Sequence, residues 1–322
     1  MTTQDPLVLG IDLGGTKTRV GLVSRSRGLV RVEITATPGE EGPDGVMEHI
    51  RSVGRDLLSA EGAQAAAVGL GAPGPIDGRT GVVSTMPNLP GWEDYPMQSA
   101  LSELFGVPAV LANDADAAAV GEHRFGAGVD VDNILYITLG TGVGGGLIIN
   151  SKLYPGSTGA AGEIGHMVID PEGPLCGCGR HGCLEAYCSG SGLERRARER
   201  LNGGDPSLIV DLAGSISAVS CEHVADAGRA GDTLARELLR DGSLRLAQAM
   251  VSLVHVLNPE LVLFGGGLVA MKDVLIEPAI ALTKGHVFPQ HLRGLRFAYS
   301  ILGDDAGVLG AASLAFDSLS QK

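Results

Sequence analysis

The sequence predicts an α/β protein of about two domains. Three observations carry this reading. Short apolar runs end at glycine turns, and the stretches between them place apolar residues at helical spacing. The chain is also long, 322 residues with 44% hydrophobic content, enough for more than one core.

Residues 7–12, Leu7-Val8-Leu9-Gly10-Ile11-Asp12, break at Leu13-Gly14-Gly15-Thr16 and predict a buried strand ending in a turn. Strands over 18–23 and 29–35 follow, separated by a turn at 24–28. Asp44 is placed to cap a helix carrying Val46, Ile50, Val53 and Leu57 on one face. A strand over 65–70 stops at Gly71-Ala72-Pro73-Gly74-Pro75, where glycines and prolines oppose regular structure. A helix over 96–105 is closed by Gly106, a strand over 107–111 runs into Asn113-Asp114, and a helix over 115–125 ends at Gly126.

Residues 133–139 then echo the opening: an apolar run breaks at Gly140-Thr141-Gly142, and a strand over 146–149 leads to a turn at Asn150-Ser151. The echo pairs Asp12-x-Gly14 with Thr138-x-Gly140; taken alone it fits either an internal duplication or two unrelated glycine turns. Most of the remainder reads as helical. Residues 194–201 are charged and amphipathic, and 232–257 form a long helix with Leu234, Leu238, Leu239, Leu246, Met250 and Leu253 on its apolar face. Asn258-Pro259 ends it, because proline cannot extend the hydrogen-bond ladder. A strand over 261–264 stops at Gly265-Gly266-Gly267, and a helix over 307–319 closes the chain.

Composition excludes several functions. Lys and Arg number 24 against 37 Asp and Glu, a net charge of −13, which opposes general nucleic-acid binding because phosphate contacts need clustered cations. The 49 glycines follow no Gly-X-Y period, so collagen is excluded. Met1-Thr2-Thr3-Gln4-Asp5-Pro6 has neither the basic nor the apolar region of a secretory signal, and no apolar run reaches the ~18 residues that span a bilayer. A cytoplasmic chain without membrane or nucleic-acid partners is expected. Of the five cysteines, Cys176, Cys178 and Cys183 crowd together, which in a cytosolic chain favours metal over disulfides; Cys188 and Cys221 are expected in the core.

The strongest chemical signal is His166-x9-Cys176-x-Cys178-x4-Cys183, the donor set of a closed tetrahedral zinc site. Four protein ligands leave no open position, so the zinc is expected to be structural. The second signal is Asp12-Leu13-Gly14-Gly15-Thr16-Lys17. Glycines after a strand let backbone N–H groups approach phosphate oxygens, Thr16 adds a hydroxyl, Lys17 adds charge, and Asp12 is placed to hold Mg²⁺ directly or through water. Gly140-Thr141-Gly142 repeats this chemistry, and two such turns can grip one polyphosphate.

That second turn also satisfies Gly-x-Gly-x-x-Gly at Gly140, Gly142 and Gly145. A dinucleotide fingerprint requires a helix next, however, and Leu147-Ile148-Ile149-Asn150 reads as strand and turn. Asn113-Asp114 sits where a strand passes into a helix. Asp114 there fits either a general base that orients a hydroxyl for attack or an ordinary helix cap. Glu163 and Glu185 flank the zinc pattern; they fit either polyol recognition on a metal-pinned frame or solvated acids.

Together these motifs resemble the ROK family of sugar kinases and sugar-responsive repressors. The most specific match is Glu163-Ile164-Gly165-His166 through Cys176-Gly177-Cys178-Gly179-Arg180-His181-Gly182-Cys183-Leu184-Glu185, joined by the Asp12–Lys17 and Gly140–Gly142 turns. The resemblance implies an actin-like ATPase (ribonuclease H-like) fold with two lobes and a cleft. The small lobe would be 1–112 with the helix 305–322, and the large lobe 113–304. It implies Asp12, Gly14, Gly15, Thr16 and Lys17 as the first phosphate turn and Gly140, Thr141 and Gly142 as the second. Gly265, Gly266 and Gly267 would meet adenosine, Asp114 would be the catalytic base, and Asn113, Glu163, His166 and Glu185 would bind sugar, joined by Gly74 and Asn88 from the small lobe.

Family repressors carry a DNA-binding domain ahead of the kinase-like body. Here the first phosphate turn begins at Asp12, which favours the enzyme. The expectation is an ATP- and Mg²⁺-dependent kinase of a hexose 6-hydroxyl, with structural zinc and glucose as the first sugar. N-acetylmannosamine, N-acetylglucosamine, mannose and fructose are the alternative sugars, a non-catalytic sugar-binding regulator is the alternative class, and a homodimer or dimer of dimers is the implied assembly.

Overall fold

The computed structural model describes residues 5–86 and 89–320. The chain opens with β1 (Leu7–Leu13), β2 (Lys17–Ser24), β3 (Gly28–Ala36), α1 (Gly42–Ala60), β4 (Ala65–Ala72), β5 (Ile76–Asp77), β6 (Val82–Val83), α2 (Met97–Phe105), β7 (Ala109–Asn113) and α3 (Asp114–Phe125). It continues through β8 (Ile134–Leu139), β9 (Val143–Ile149), β10 (Lys152–Leu153), α4 (Glu185–Cys188), α5 (Gly190–Asn202), α6 (Leu208–Ala213), α7 (Cys221–Ala230) and α8 (Thr233–Leu257). β11 (Leu261–Gly265), α9 (Ile276–His286), α10 (Pro289–Leu292), β12 (Arg296–Tyr299) and α11 (Ala306–Leu319) complete it.

Two five-stranded sheets have equivalent orders, β3-β2-β1-β4-β7 and β10-β9-β8-β11-β12. In each, the first pair is antiparallel (β2 with β3, β9 with β10) and the last pair parallel (β4 with β7, β11 with β12). The faint sequence echo at the two glycine turns is therefore a repeat of whole-sheet topology. By its internal contacts the chain divides into two units. One holds the chain up to Ile134, Gly146–Gly162 and the chain from Ser300; the other holds Leu135–Gly145 and Glu163–Tyr299.

In the first unit β1 is central, antiparallel to β2 and parallel to β4. Both its faces are covered, which explains its unbroken apolar composition. Leu9, Ile11 and Leu13 point to a core shared with Val46, Ile50 and Leu57 of α1 and Met97 and Leu101 of α2. Val8 points the opposite way, into a core with Val308, Leu309, Ala312 and Phe316 of α11. Burying each such Leu, Ile or Phe contributes about 1.5–3 kcal/mol. The α11 face needs unusually close approach: a Cβ at Gly69 of β4 would lie 1.9 Å from the Ala311 carbonyl oxygen. The final helix thus packs directly on the first sheet.

In the second unit α8 is the long element. Asp232 caps it by accepting a hydrogen bond from the Ala235 N–H at 2.8 Å, and Asn258 ends it in the left-handed region at φ 47°. Leu234, Leu238, Leu239, Leu246 and Met250 are buried along it, and β11 is buried throughout.

Several boundaries move from their sequence expectation. Helix α1 begins at Gly42-Pro43, so Asp44 lies in its first turn, where the helix dipole favours it, rather than capping it. Strand β4 continues through Gly71-Ala72, because pairing with β1 and β7 satisfies that backbone. Strand β7 runs two residues later than expected, and β9 starts at Val143 rather than Gly146.

Candidate functional site

The first unit gathers its predicted residues at the carboxyl ends of parallel strands, where α/β sheets present ligands. Asp12 ends β1 beside Gly71 of β4, and Asn113 ends β7 beside Ala72 of β4. The β1–β2 turn closes on itself through Gly14 N–H to the Lys17 carbonyl, 2.9 Å. Thr37 braces it: its hydroxyl donates to the Gly14 carbonyl at 2.7 Å and its N–H to the Thr16 carbonyl at 3.0 Å. Gly15 lies inside this turn, and the side chains of Thr16 and Lys17 are exposed at its tip.

Asp114 opens α3, and its Oδ1 accepts from the Ala115 N–H at 2.7 Å. Asn113 is the helix cap, with its Oδ1 accepting from the same N–H at 2.9 Å. Asp12 and Asp114 are close enough to feel one another: burial first, and the Asp114 charge next, push the Asp12 carboxyl up to about 6, with Asp304 adding to the rise and Arg19 opposing it. Two acids at one sheet end form a natural seat for a divalent cation. Gly74 lies in the bend after β4 at φ +97°. Asn88 lies outside the described residues.

The second unit gathers the rest. The β8–β9 turn closes through Gly140 N–H to the Gly142 carbonyl, 3.0 Å. The start of α5 holds it: Gly190 N–H donates to the Gly140 carbonyl at 2.8 Å, and the Ser191 hydroxyl donates to the Thr141 carbonyl at 2.7 Å. Gly265, Gly266 and Gly267 lie alongside, for Gly266 sits at φ +82° and a Cβ there would fall 2.3 Å from the Leu139 carbonyl oxygen. A strand, β9, follows the Gly140-x-Gly142-x-x-Gly145 turn, which removes the dinucleotide reading.

Glu163 precedes a short 3₁₀ turn, Ile164–His166, and its carbonyl accepts from the His166 N–H at 3.1 Å. Glu185 starts α4 and joins two features. Its Oε2 accepts from the Val143 N–H at 3.0 Å, and its Oε1 accepts from the Cys176 thiol at 3.4 Å.

One donor atom from each of His166, Cys176, Cys178 and Cys183 falls within 4.8 Å of the others. The Cys178 and Cys183 sulfurs are 3.7 Å apart, and Cys176 Sγ is 3.8 Å from His166 Nδ1. Tetrahedral zinc with Zn–S of ~2.3 Å and Zn–N of ~2.0 Å separates its ligand atoms by about 3.5–3.8 Å. The donor set fits, and these two separations match that geometry. Burial pushes the Cys176 thiol up to about 12. Cys188 and Cys221 are buried away from this set, as expected.

Some residues of the site carried no obvious sequence signal. Arg19 stands directly across β2 from Asp12 and ion-pairs with Asp304; counting register outward from the glycine turn would have found it. Gly307 in the first turn of α11 leaves room for Asp12, since a Cβ there would lie 2.8 Å from the carboxyl carbon. Nothing local in the sequence marks that approach.

Paired sheets of one topology, each with a glycine turn between its second and third strands in the sheet order, define an actin-like ATPase fold. The chain belongs to the ROK family, whose model matches residues 8–318. It is 38% identical over 309 residues to a glucokinase of Thermotoga maritima, covering 95% of this chain and 96% of that one. It is 31% identical to an N-acetylmannosamine kinase of Salmonella heidelberg, covering 95% of this chain and 97% of that one. Among solved structures it resembles a ROK family glucokinase from Streptomyces griseus in complex with glucose and AMPPNP, at TM-score 0.79 and 34% identity over 97% of this chain and 99% of that one.

Proposed function

We propose that this chain is an ATP-dependent hexose kinase that transfers the γ-phosphoryl group to the sugar 6-hydroxyl, with glucose as its sugar. The observation that carries the reading is the proximity of Asp12 and Asp114, at the ends of β1 and β7 on either side of β4, beside a closed glycine turn. Glucokinase relatives at this identity support the choice of sugar.

In the first unit, Asp114 acts as general base. It accepts the 6-hydroxyl proton as that oxygen attacks the γ-phosphorus in line, the bond from phosphorus to the β–γ bridging oxygen breaks and ADP leaves; the α3 N-terminus favours negative charge at this position. Asn113 and Gly74, with Asn88, contribute sugar contacts. The Gly14–Lys17 turn and Lys17 hold the nucleotide's phosphates, and Asp12 would hold Mg²⁺, which would neutralise charge spreading over the phosphoryl oxygens. In the second unit, Gly140–Gly142 binds phosphate and Gly265–Gly267 the adenosine. Glu163 and Glu185 accept from sugar hydroxyls. His166, Cys176, Cys178 and Cys183 would hold a structural zinc, whose contribution would be to fix the segment bearing both glutamates. With Nδ1 turned to the thiols, His166 keeps Nε2–H to donate to a hydroxyl.

Among the described residues no helix is long and apolar enough to cross a membrane, which is in keeping with a cytoplasmic enzyme. The assembly we propose is a homodimer or dimer of dimers, read by light scattering. The activity is tested by ADP release with a panel of hexoses. Turnover highest on glucose supports the reading, turnover confined to N-acetylmannosamine moves the sugar, and tight sugar binding without turnover favours a regulator.

A further inference from the structure

The segment between His166 and Glu185 has almost no regular structure, yet it must present Glu185 in one orientation. Helix α4 cannot hold itself, being four residues long. Its start is fixed from one side by Cys183, two residues before Glu185. Two residues after Glu185, a second fixture is built on Tyr187, which is 3% exposed.

Two guanidinium groups lie against the Tyr187 ring, with Arg196 of α5 at 5.0 Å and Arg245 of α8 at 4.9 Å from its centroid. Its hydroxyl donates to Asp170 Oδ2 at 3.2 Å, and Arg245 reaches the same oxygen at 3.1 Å. Asp241 joins the two cations, pairing with Arg196 and accepting from Arg245 Nε at 3.3 Å. Arg196 also donates to the Tyr187 carbonyl at 3.3 Å. The cluster is neutral, with two Arg against two Asp, so no unbalanced charge opposes its assembly. It also leaves no slack: a Cβ at Gly173, in the same loop, would fall 2.0 Å from the Tyr187 hydroxyl.

Asp170 belongs to the loop between His166 and Cys176. The fixture therefore ties that loop to α8 independently of the thiols. We infer that the cluster of Arg196, Tyr187 and Arg245 with Asp170 and Asp241 is a second, metal-independent clamp that positions Glu185 and retains the zinc loop. Arg245 and Tyr187 are positioning residues, and the inference rests on Glu185 being a sugar ligand as proposed above.

The experiment uses zinc-loaded, full-length protein with Arg245→Met, Arg245→Lys and Tyr187→Phe. It reads glucose KM and kcat separately, and the rate of zinc loss to a chromogenic chelator. Groups bonded directly to a metal's ligands change affinity or activity by roughly 10–100-fold; Arg245 acts one step further out, through Asp170, so Arg245→Met is expected at the low end, raising glucose KM and speeding zinc loss about tenfold each, with kcat within about threefold. Arg245→Lys keeps the cation and is expected to recover most of both effects. Tyr187→Phe keeps the ring but loses the Asp170 bond, and is expected to move both readouts in the same direction by less. Wild-type KM and zinc loss in folded Arg245→Met overturn the clamp. Should that variant not fold, the same result in Tyr187→Phe overturns it. If the wild-type chain phosphorylates no hexose, the activity reading fails, while zinc loss still decides the clamp.

Discussion

The two glycine turns occupy the same place in two sheets of one topology, and they differ in what surrounds them. The β1–β2 turn follows an acid, Asp12, and lies at a sheet end that holds a second acid, Asp114. The β8–β9 turn has Thr138 in the position of Asp12, and it is held by the neutral amide and hydroxyl donors of Gly190 and Ser191. The first turn lies beside two carboxylates, which suits a cation and a proton acceptor, whereas the second is met by one, Glu185, already bonded to the Val143 N–H. The second offers backbone groups and, through Glu185, a link to the thiol cluster. The doubled topology supplies two glycine turns whose surroundings differ in charge.

Removing the proton acceptor of the first half is the largest expected effect. Asp114→Asn is expected to lower kcat about 10³-fold, within the 10²–10⁴ range of general base catalysis, while glucose KM stays within about threefold. Steady-state kinetics check the split; near-normal turnover would remove Asp114 from its role.

Next is the metal frame of the second half. Cys178→Ala, or zinc extraction, is expected to raise glucose KM tenfold or more and to lower Tm, since metal binding energy is folding energy. Elemental analysis of the wild-type protein is expected to find one zinc per chain, and its absence contradicts the frame.

A steric pair sharpens the comparison further. Gly307→Ala places a methyl 2.8 Å from the Asp12 carboxyl carbon, whereas a Cβ at Gly140 meets nothing within 4 Å. The first variant is expected to lower Tm by several degrees, and the second to change Tm by less than about 2 °C, close to what a surface substitution costs. Equal effects would erase the distinction between the halves.

The smallest effect is a pH dependence. Asp12 is raised from 3.8 to about 6 in the folded chain, so the folded state holds the proton more tightly than the unfolded one. Its contribution to stability is full below 3.8 and is lost as pH rises through about 6. Asp12→Asn is therefore expected to raise Tm above pH 7 by a few degrees, with the gain vanishing toward pH 4. A gain that grows on acidification contradicts the assignment.

Much of this was legible in the sequence because local chemistry decided it. The β1, β8 and β11 runs end at glycines, Asp232 and Asn258-Pro259 punctuate α8, and the His166–Cys183 spacing states its ligand set. The less legible parts depend on distant partners. Strand β12 is a four-residue, partly exposed edge, defined by its pairing with β11. Gly71 reads as a breaker yet lies within β4, because its neighbours supply the hydrogen bonds. Arg19 and Gly307 join the site only through strand register and helix packing. The Tyr187 clamp likewise draws on residues from the zinc loop, α5 and α8 that no short motif connects.

The most direct test is sugar-dependent ATP turnover by the purified chain with MgATP and glucose. The account predicts ADP formed in equal amount to glucose 6-phosphate, little ADP without sugar, and loss of both products in Asp114→Asn. Glucose bound with no ADP above the sugar-free background, on glucose or any other hexose, would contradict it.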